Sequence, residues 1–180
     1  MKAIFPAVAT ACLLAAPAFG FELTSPDLGD GATLKAAQVS NVFGCSGGNR
    51  SPALAWKNAP AGTKSFVVTL YDPDAPTGSG WWHWTVFDIP ATVTSLPGGA
   101  GGPGGEGLPK GALQGANDAG MPAFMGACPP PGPAHRYVVT VTALKVDRLG
   151  LDSKASGAMI GFLTHVNALA SASITATYGR

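Results

Sequence analysis

Hydrophobic positions along the chain gather in short extended runs separated by glycine and proline. The clearest are Ser65–Tyr71 (SFVVTLY), His83–Ile89 (HWTVFDI) and Tyr137–Val146 (YVVTVTALKV), rich in the β-branched and aromatic side chains that pack well on a pleated surface. In the first run Phe66, Val68 and Leu70 alternate with Val67, Thr69 and Tyr71. Both sets are largely apolar, which predicts a strand buried on both faces. Phe21–Ser25, Leu54–Lys57 and Ile174–Tyr178 are weaker strand candidates.

A different period governs one later segment. Met159, Phe162, Leu163, Val166, Leu169 and Ala170 recur at helical spacing, so the pattern predicts a C-terminal helix capped by Asp152 or Ser153. Gly157 and Gly161 weaken it by ~1 kcal/mol each relative to alanine, and packing must hold it in place. His165 lies off the centre of that stripe and reads as structural. Pro97–Gly111 (PGGAGGPGGEGLPKG) is glycine-rich but lacks the Lys-Ser/Thr pair and following helix of a phosphate cradle, so it reads as a surface loop. No repeat or second domain is visible.

The first twenty residues follow another logic. Lys2 is followed by an apolar run reaching Ala16, and Ala18 and Gly20 put small residues where a signal peptidase reads. The run is too short for a membrane span. Residues 1–20 are therefore expected to be a signal peptide cleaved after Gly20, leaving a domain over 21–180 and a periplasmic or secreted protein. Ala9-Thr10-Ala11 is a poor lipidation context for Cys12.

Charge narrows the partners. Eleven basic and ten acidic residues become ten and ten without Lys2. With no basic patch, nucleic acid is not an expected partner. Beyond the leader only Cys45 and Cys128 remain, and in an exported protein an even pair reads as a disulfide. The alternatives are two buried thiols or a metal pair.

Three segments could carry chemistry. Tyr71-Asp72-Pro73-Asp74-Ala75-Pro76 ends the first strand with two carboxylates around a φ-restricted proline, although such sequences also make ordinary turns. A cis peptide at Ala75–Pro76 is expected as a turn device. Gly80-Trp81-Trp82-His83-Trp84-Thr85 sets a histidine among three of the four tryptophans, whose rings exclude water and sharpen its hydrogen bonds. Cys128-Pro129-Pro130-Pro131-Gly132-Pro133-Ala134-His135-Arg136-Tyr137 delivers His135 and Tyr137 to one side of a strand, two positions apart.

Together DPDAP, GSGWWHW and CPPPG-x-x-HRY resemble the phosphatidylethanolamine-binding protein family, in its bacterial Raf kinase inhibitor-like branch. Gly47–Trp56 and Gly115-Ala116-Asn117-Asp118 extend the resemblance through most of the domain. It implies a mainly β fold: an antiparallel β-sandwich, a large sheet packed on a smaller one, with a C-terminal helix. It also implies a pocket for phosphate or phospholipid head groups, formed here by Asp72, Asp74, His83, His135 and Tyr137, with Cys128 and the disulfide near its mouth. The chain departs from the family pattern at Phe124, where a tyrosine is usual, and in a proline loop one residue short. Two imidazoles, Tyr137 and loop amides can donate to a phosphate, while Asp72 either orients an imidazole and favours its protonation or accepts from a protonated ligand oxygen.

The expected function is thus a binder of a small anionic ligand and not an enzyme, with no cofactor and no metal. A regulated protein partner, as for a kinase inhibitor, and a homodimer are further expectations. Two rivals remain. Gly44-Cys45-Ser46-Gly47-Gly48 fits G-x-S-x-G, and Ser46, Asp72 and His135 follow hydrolase order, but no helix can follow Ser46. His83, His135 and a carboxylate could instead ligate a metal.

Overall fold

The computed structural model describes residues 20–180; the expected signal peptide otherwise lies outside the described residues. Eight strands form two antiparallel sheets. The smaller holds β1 (Glu22–Thr24), β2 (Leu54–Lys57) and β5 (Ser95–Leu96) in the order β1-β2-β5. The larger holds β3 (Ser65–Asp72), β4 (Trp81–Pro90), β6 (Leu113–Gln114), β7 (His135–Leu144) and β8 (Ala168–Tyr178) in the order β6-β4-β3-β7-β8. This is the expected sandwich.

Side-chain alternation builds the core. Phe66, Val68 and Leu70 of β3 point toward the smaller sheet and meet Trp56 and Leu54. Phe21 stacks over Phe66 at 6.0 Å, and Trp56 meets it edge-on at 5.3 Å. Val67 faces the other way, with Phe87, Leu144 and Ile160. The first half of β3 is therefore buried on both faces, as its composition predicts. Thr69 and Tyr71 are half-buried instead, along a groove beside the helix.

Helix α1 (Gly157–Asn167) departs from expectation in three ways. Its cap is Ser156, whose hydroxyl accepts from the Met159 amide at 3.2 Å. Asp152 instead closes the preceding turn, accepting from the Lys154 amide. The helix also stops at Asn167, so Leu169 and Ala170 belong to β8. Finally, the buried side is Gly157, Ile160 and Thr164, while Met159, Phe162 and Val166 are exposed.

The two glycines explain the facing. A Cβ on Gly157 would lie 2.2 Å from Cγ of Trp82, and one on Gly161 would lie 3.2 Å from its Cη2. The helix seats its smallest residues against the indole, and ring contact replaces the propensity that glycine gives up. Backbone approach, not the bulkiest stripe, chose the contact face.

The Ala75–Pro76 bond is trans, contrary to expectation; the described residues contain no cis peptide. Side-chain bonds turn the chain instead. Asp72 Oδ1 accepts from the Asp74 amide at 2.8 Å, and the Thr77 hydroxyl donates to the Gly80 carbonyl. Gly80 has φ +67°, and a Cβ there would overlap the Tyr71 hydroxyl, which only glycine tolerates.

Candidate functional site

The polar end of the large sheet is assembled from three strand ends. Asp72 closes β3 opposite Trp81 at the head of β4. His83 follows two residues along β4. His135 and Tyr137 lead β7, sharing one side as their spacing predicts. These residues line one pocket of about 240 Å³ together with Trp81 and Pro129 and with the exposed Phe43 and Pro76. Asp72, His83, His135 and Tyr137 are all buried.

Each polar side chain has a defined task. Asp72 Oδ2 accepts from His135 Nδ1 at 2.8 Å, and Oδ1 is held by the Asp74 amide. Both carboxylate oxygens are engaged, so Asp72 fixes the His135 ring, as the sequence predicts. His83 Nδ1 lies 2.9 Å from the Met125 carbonyl. A carbonyl only accepts, so Nδ1 carries the proton. Met125 also donates its amide to the His83 carbonyl at 3.0 Å, pinning the residue twice. Tyr137 meets His83 edge-on at 5.3 Å.

The expectation that both imidazoles donate is corrected at His83. Burial lowers its pKa, outweighing the Met125 carbonyl and the field of Asp72. The ring is neutral at pH 7, and Nε2, left for the pocket, is an acceptor. Burial raises the Tyr137 pKa, with the Asp72 charge adding to it, so its O–H persists. That hydroxyl is buried without a hydrogen-bond partner, as is the Trp81 indole N–H. Leaving a buried donor unpaired costs ~1–3 kcal/mol, and two such donors on lining residues mark a place for an acceptor.

Asp74 is not brought into the pocket. It accepts from the Arg136 side chain at 2.7 and 2.9 Å and from the Arg136 amide at 2.9 Å. These hydrogen bonds hold its carboxyl at about 2, below the ordinary 3.8. Arg136 therefore points away from His135 and Tyr137, and among the described residues no lysine or arginine lines the pocket.

Cys45 and Cys128 form the expected disulfide, with Cα atoms 6.0 Å apart. Cys128 lines the pocket, so the bridge ties the segment bearing Phe43 to the proline loop. Phe124 lies elsewhere, buried in the core with its ring edge-on to Trp84 at 5.8 Å. That departure from the family pattern falls on the core and not on the rim.

Ser46 lies in a separate recess with Tyr178 and Arg180, away from Asp72 and His135. No cluster of three metal-ligating side chains occurs among the described residues.

Sequence reasoning missed Met125, which sets the His83 tautomer through its backbone. No side-chain signal could reveal this, because any residue type offers the same carbonyl. Phe43 was missed as well; its loop reaches the mouth through the neighbouring disulfide.

The sequence profile of the family described as phosphatidylethanolamine-binding protein matches residues 24–179. The chain belongs to the phosphatidylethanolamine-binding protein family. Among its family relatives, the UPF0098 protein YbcL of Escherichia coli is 53% identical over 91% of this chain and 90% of its own length. The UPF0098 protein YbhB of the same organism is 54% identical over 87% of this chain and 99% of its own. The crystal structure of E. coli YbcL superposes with a TM-score of 0.88 at 52% identity, covering 90% of this chain and 99% of that one. A phosphatidylethanolamine-binding protein from Plasmodium vivax, 12% identical with a TM-score of 0.55, shares the fold alone.

Proposed function

We propose that this family member binds the phosphoryl group of a small anionic ligand, free phosphate or a phospholipid head group, in the pocket between His83 and His135. Its role is binding rather than catalysis. One observation carries the reading: Tyr137, whose buried hydroxyl has no hydrogen-bond partner, lines the same pocket as two imidazoles of fixed orientation. A phosphoryl oxygen supplies the missing acceptor and would be held by neutral donors.

Export belongs to the same proposal, supported by the leader-like first twenty residues and by a disulfide of the kind that persists in oxidising compartments. No helix among the described residues is long and apolar enough to cross a membrane. Regulation of a protein partner is the biological role that the resemblance to kinase inhibitor-like proteins supports.

A homodimer has its own support. Met159, Phe162, Val166 and Leu169 are exposed side by side along α1 and the start of β8. Residues 155–179 contain no Asp, Glu, Lys or Arg. A two-fold contact sets a patch against its own copy, so a charge near the axis would meet its like; this patch has none.

Titration calorimetry with inorganic phosphate tests the pocket. His135→Ala should lose most of the affinity while circular dichroism stays native. Unchanged affinity in both folded His83→Ala and folded His135→Ala would place the site elsewhere.

A further inference from the structure

We propose that the pocket selects a phosphoryl group that still bears a proton: the monoanion of a phosphomonoester, with a P–OH, over its dianion and over a phosphodiester. This rests on the phosphoryl-binding reading and specifies which phosphoryl species the site holds.

The donor and acceptor inventory carries the inference. Tyr137 O–H and the Trp81 indole N–H are buried donors without partners, on residues that line the pocket. They suit unprotonated phosphoryl oxygens. His83 is the opposite case. Its Nδ1–H is spent on the Met125 carbonyl, so the neutral ring offers a lone pair at Nε2. A fully ionised phosphate or a diester has no hydrogen to give that nitrogen. Two lone pairs would then face each other at a buried ring, where an unmade hydrogen bond is costly. A P–OH satisfies it.

Charge points the same way. The charged and titratable groups around the site are Asp72 at the end of β3, His83 on β4, His135 and Tyr137 on β7, and Asp118, whose field reaches His83. Arg136 is turned outward and paired with Asp74. His135 is already matched by the Asp72 carboxylate at 2.8 Å. The pocket therefore lacks the excess positive charge that a dianion would need, and Asp72 opposes a second negative charge.

The experiment is calorimetry on the full domain with methyl phosphate and dimethyl phosphate from pH 5 to 8. Methyl phosphate should bind at least tenfold tighter than dimethyl phosphate at pH 5.5. Its affinity should then fall about tenfold per pH unit above its second ionisation, near ~6. Trifluoroethyl phosphate, which loses that proton at lower pH, identifies which proton matters. If the fall moves to lower pH with this ligand, the required proton is the ligand's. If the fall keeps its position, the required proton belongs to the protein and the proposal is overturned. Equal binding of monoester and diester also overturns it but leaves phosphoryl binding intact. Binding of none of the three removes the underlying reading as well.

Discussion

The two faces of the large sheet solve opposite problems. On the pocket side, buried polar side chains are committed to partners, Asp72 to His135 and His83 to Met125. On the opposite face, which carries α1 over Trp82, the helix leaves Met159, Phe162 and Val166 exposed. Buried polar groups demand specific partners, because each unmade bond is costly. Exposed apolar groups demand none, and their placement follows from what packs beneath them. Specific chemistry is therefore expected on the first face, and contact with another surface on the second.

The disulfide gives the sharpest way to break that contrast. Replacing both cysteines with serine should cost about 4 to 5 kcal/mol of stability in the chain-entropy model, given a chain separation of 83 residues. Urea denaturation reads this directly, and phosphate affinity should fall too as the Phe43 segment is released. A loss in stability with unchanged affinity would show that the bridge does not shape the mouth.

Next in size are Asp72→Ala and Gly157→Val, one on each face. Asp72→Ala strips His135 of a buried partner and should cost ~1–3 kcal/mol, with loss of phosphate binding. Gly157→Val drives a side chain into Trp82, and overpacking of this kind costs ~1–3 kcal/mol. Phosphate affinity should survive it. If Gly157→Val abolished binding, the two faces would not be independent.

Acidification should separate the polar groups by sign. His83 has a lowered pKa in the fold. Above pH ~6.5 the ring is neutral in both folded and unfolded chains. Below that, the unfolded chain takes up a proton the folded one resists, so stability falls with pH. His83→Gln should flatten this slope in pH-dependent urea melts. Asp74 acts lower: its contribution is complete above its ordinary 3.8 and disappears as pH drops through about 2. A slope that His83→Gln leaves unchanged would assign the effect to another group.

The smallest effect on stability is expected at Phe162→Glu, within about 0.5 kcal/mol, because the side chain is exposed. Sedimentation velocity should nonetheless show loss of the dimer. A wild-type chain that is monomeric at high concentration would remove the dimer reading and leave the pocket untouched.

The sequence by itself determined the long strands β3, β4 and β7 and, through its resemblance to a family, the sandwich class and Asp72, His83, His135 and Tyr137 as residues of one pocket. Val, Thr and aromatic runs broken by glycine and proline announce their period locally, and His135 and Tyr137 share a face by spacing alone. The bridge between Cys45 and Cys128 was legible for a simpler reason: no other cysteine follows the leader. Tertiary structure decided what local pattern cannot encode. Asp74 went to Arg136, His83 became an acceptor through a backbone carbonyl, and Asp72 turned the chain with Pro76 trans. The helix buried Gly157 and Ile160 rather than Phe162, because periodicity reports that a face is apolar but not what lies opposite it. Here the flat indole of Trp82 lay opposite, and only a side of the helix without a Cβ could approach it.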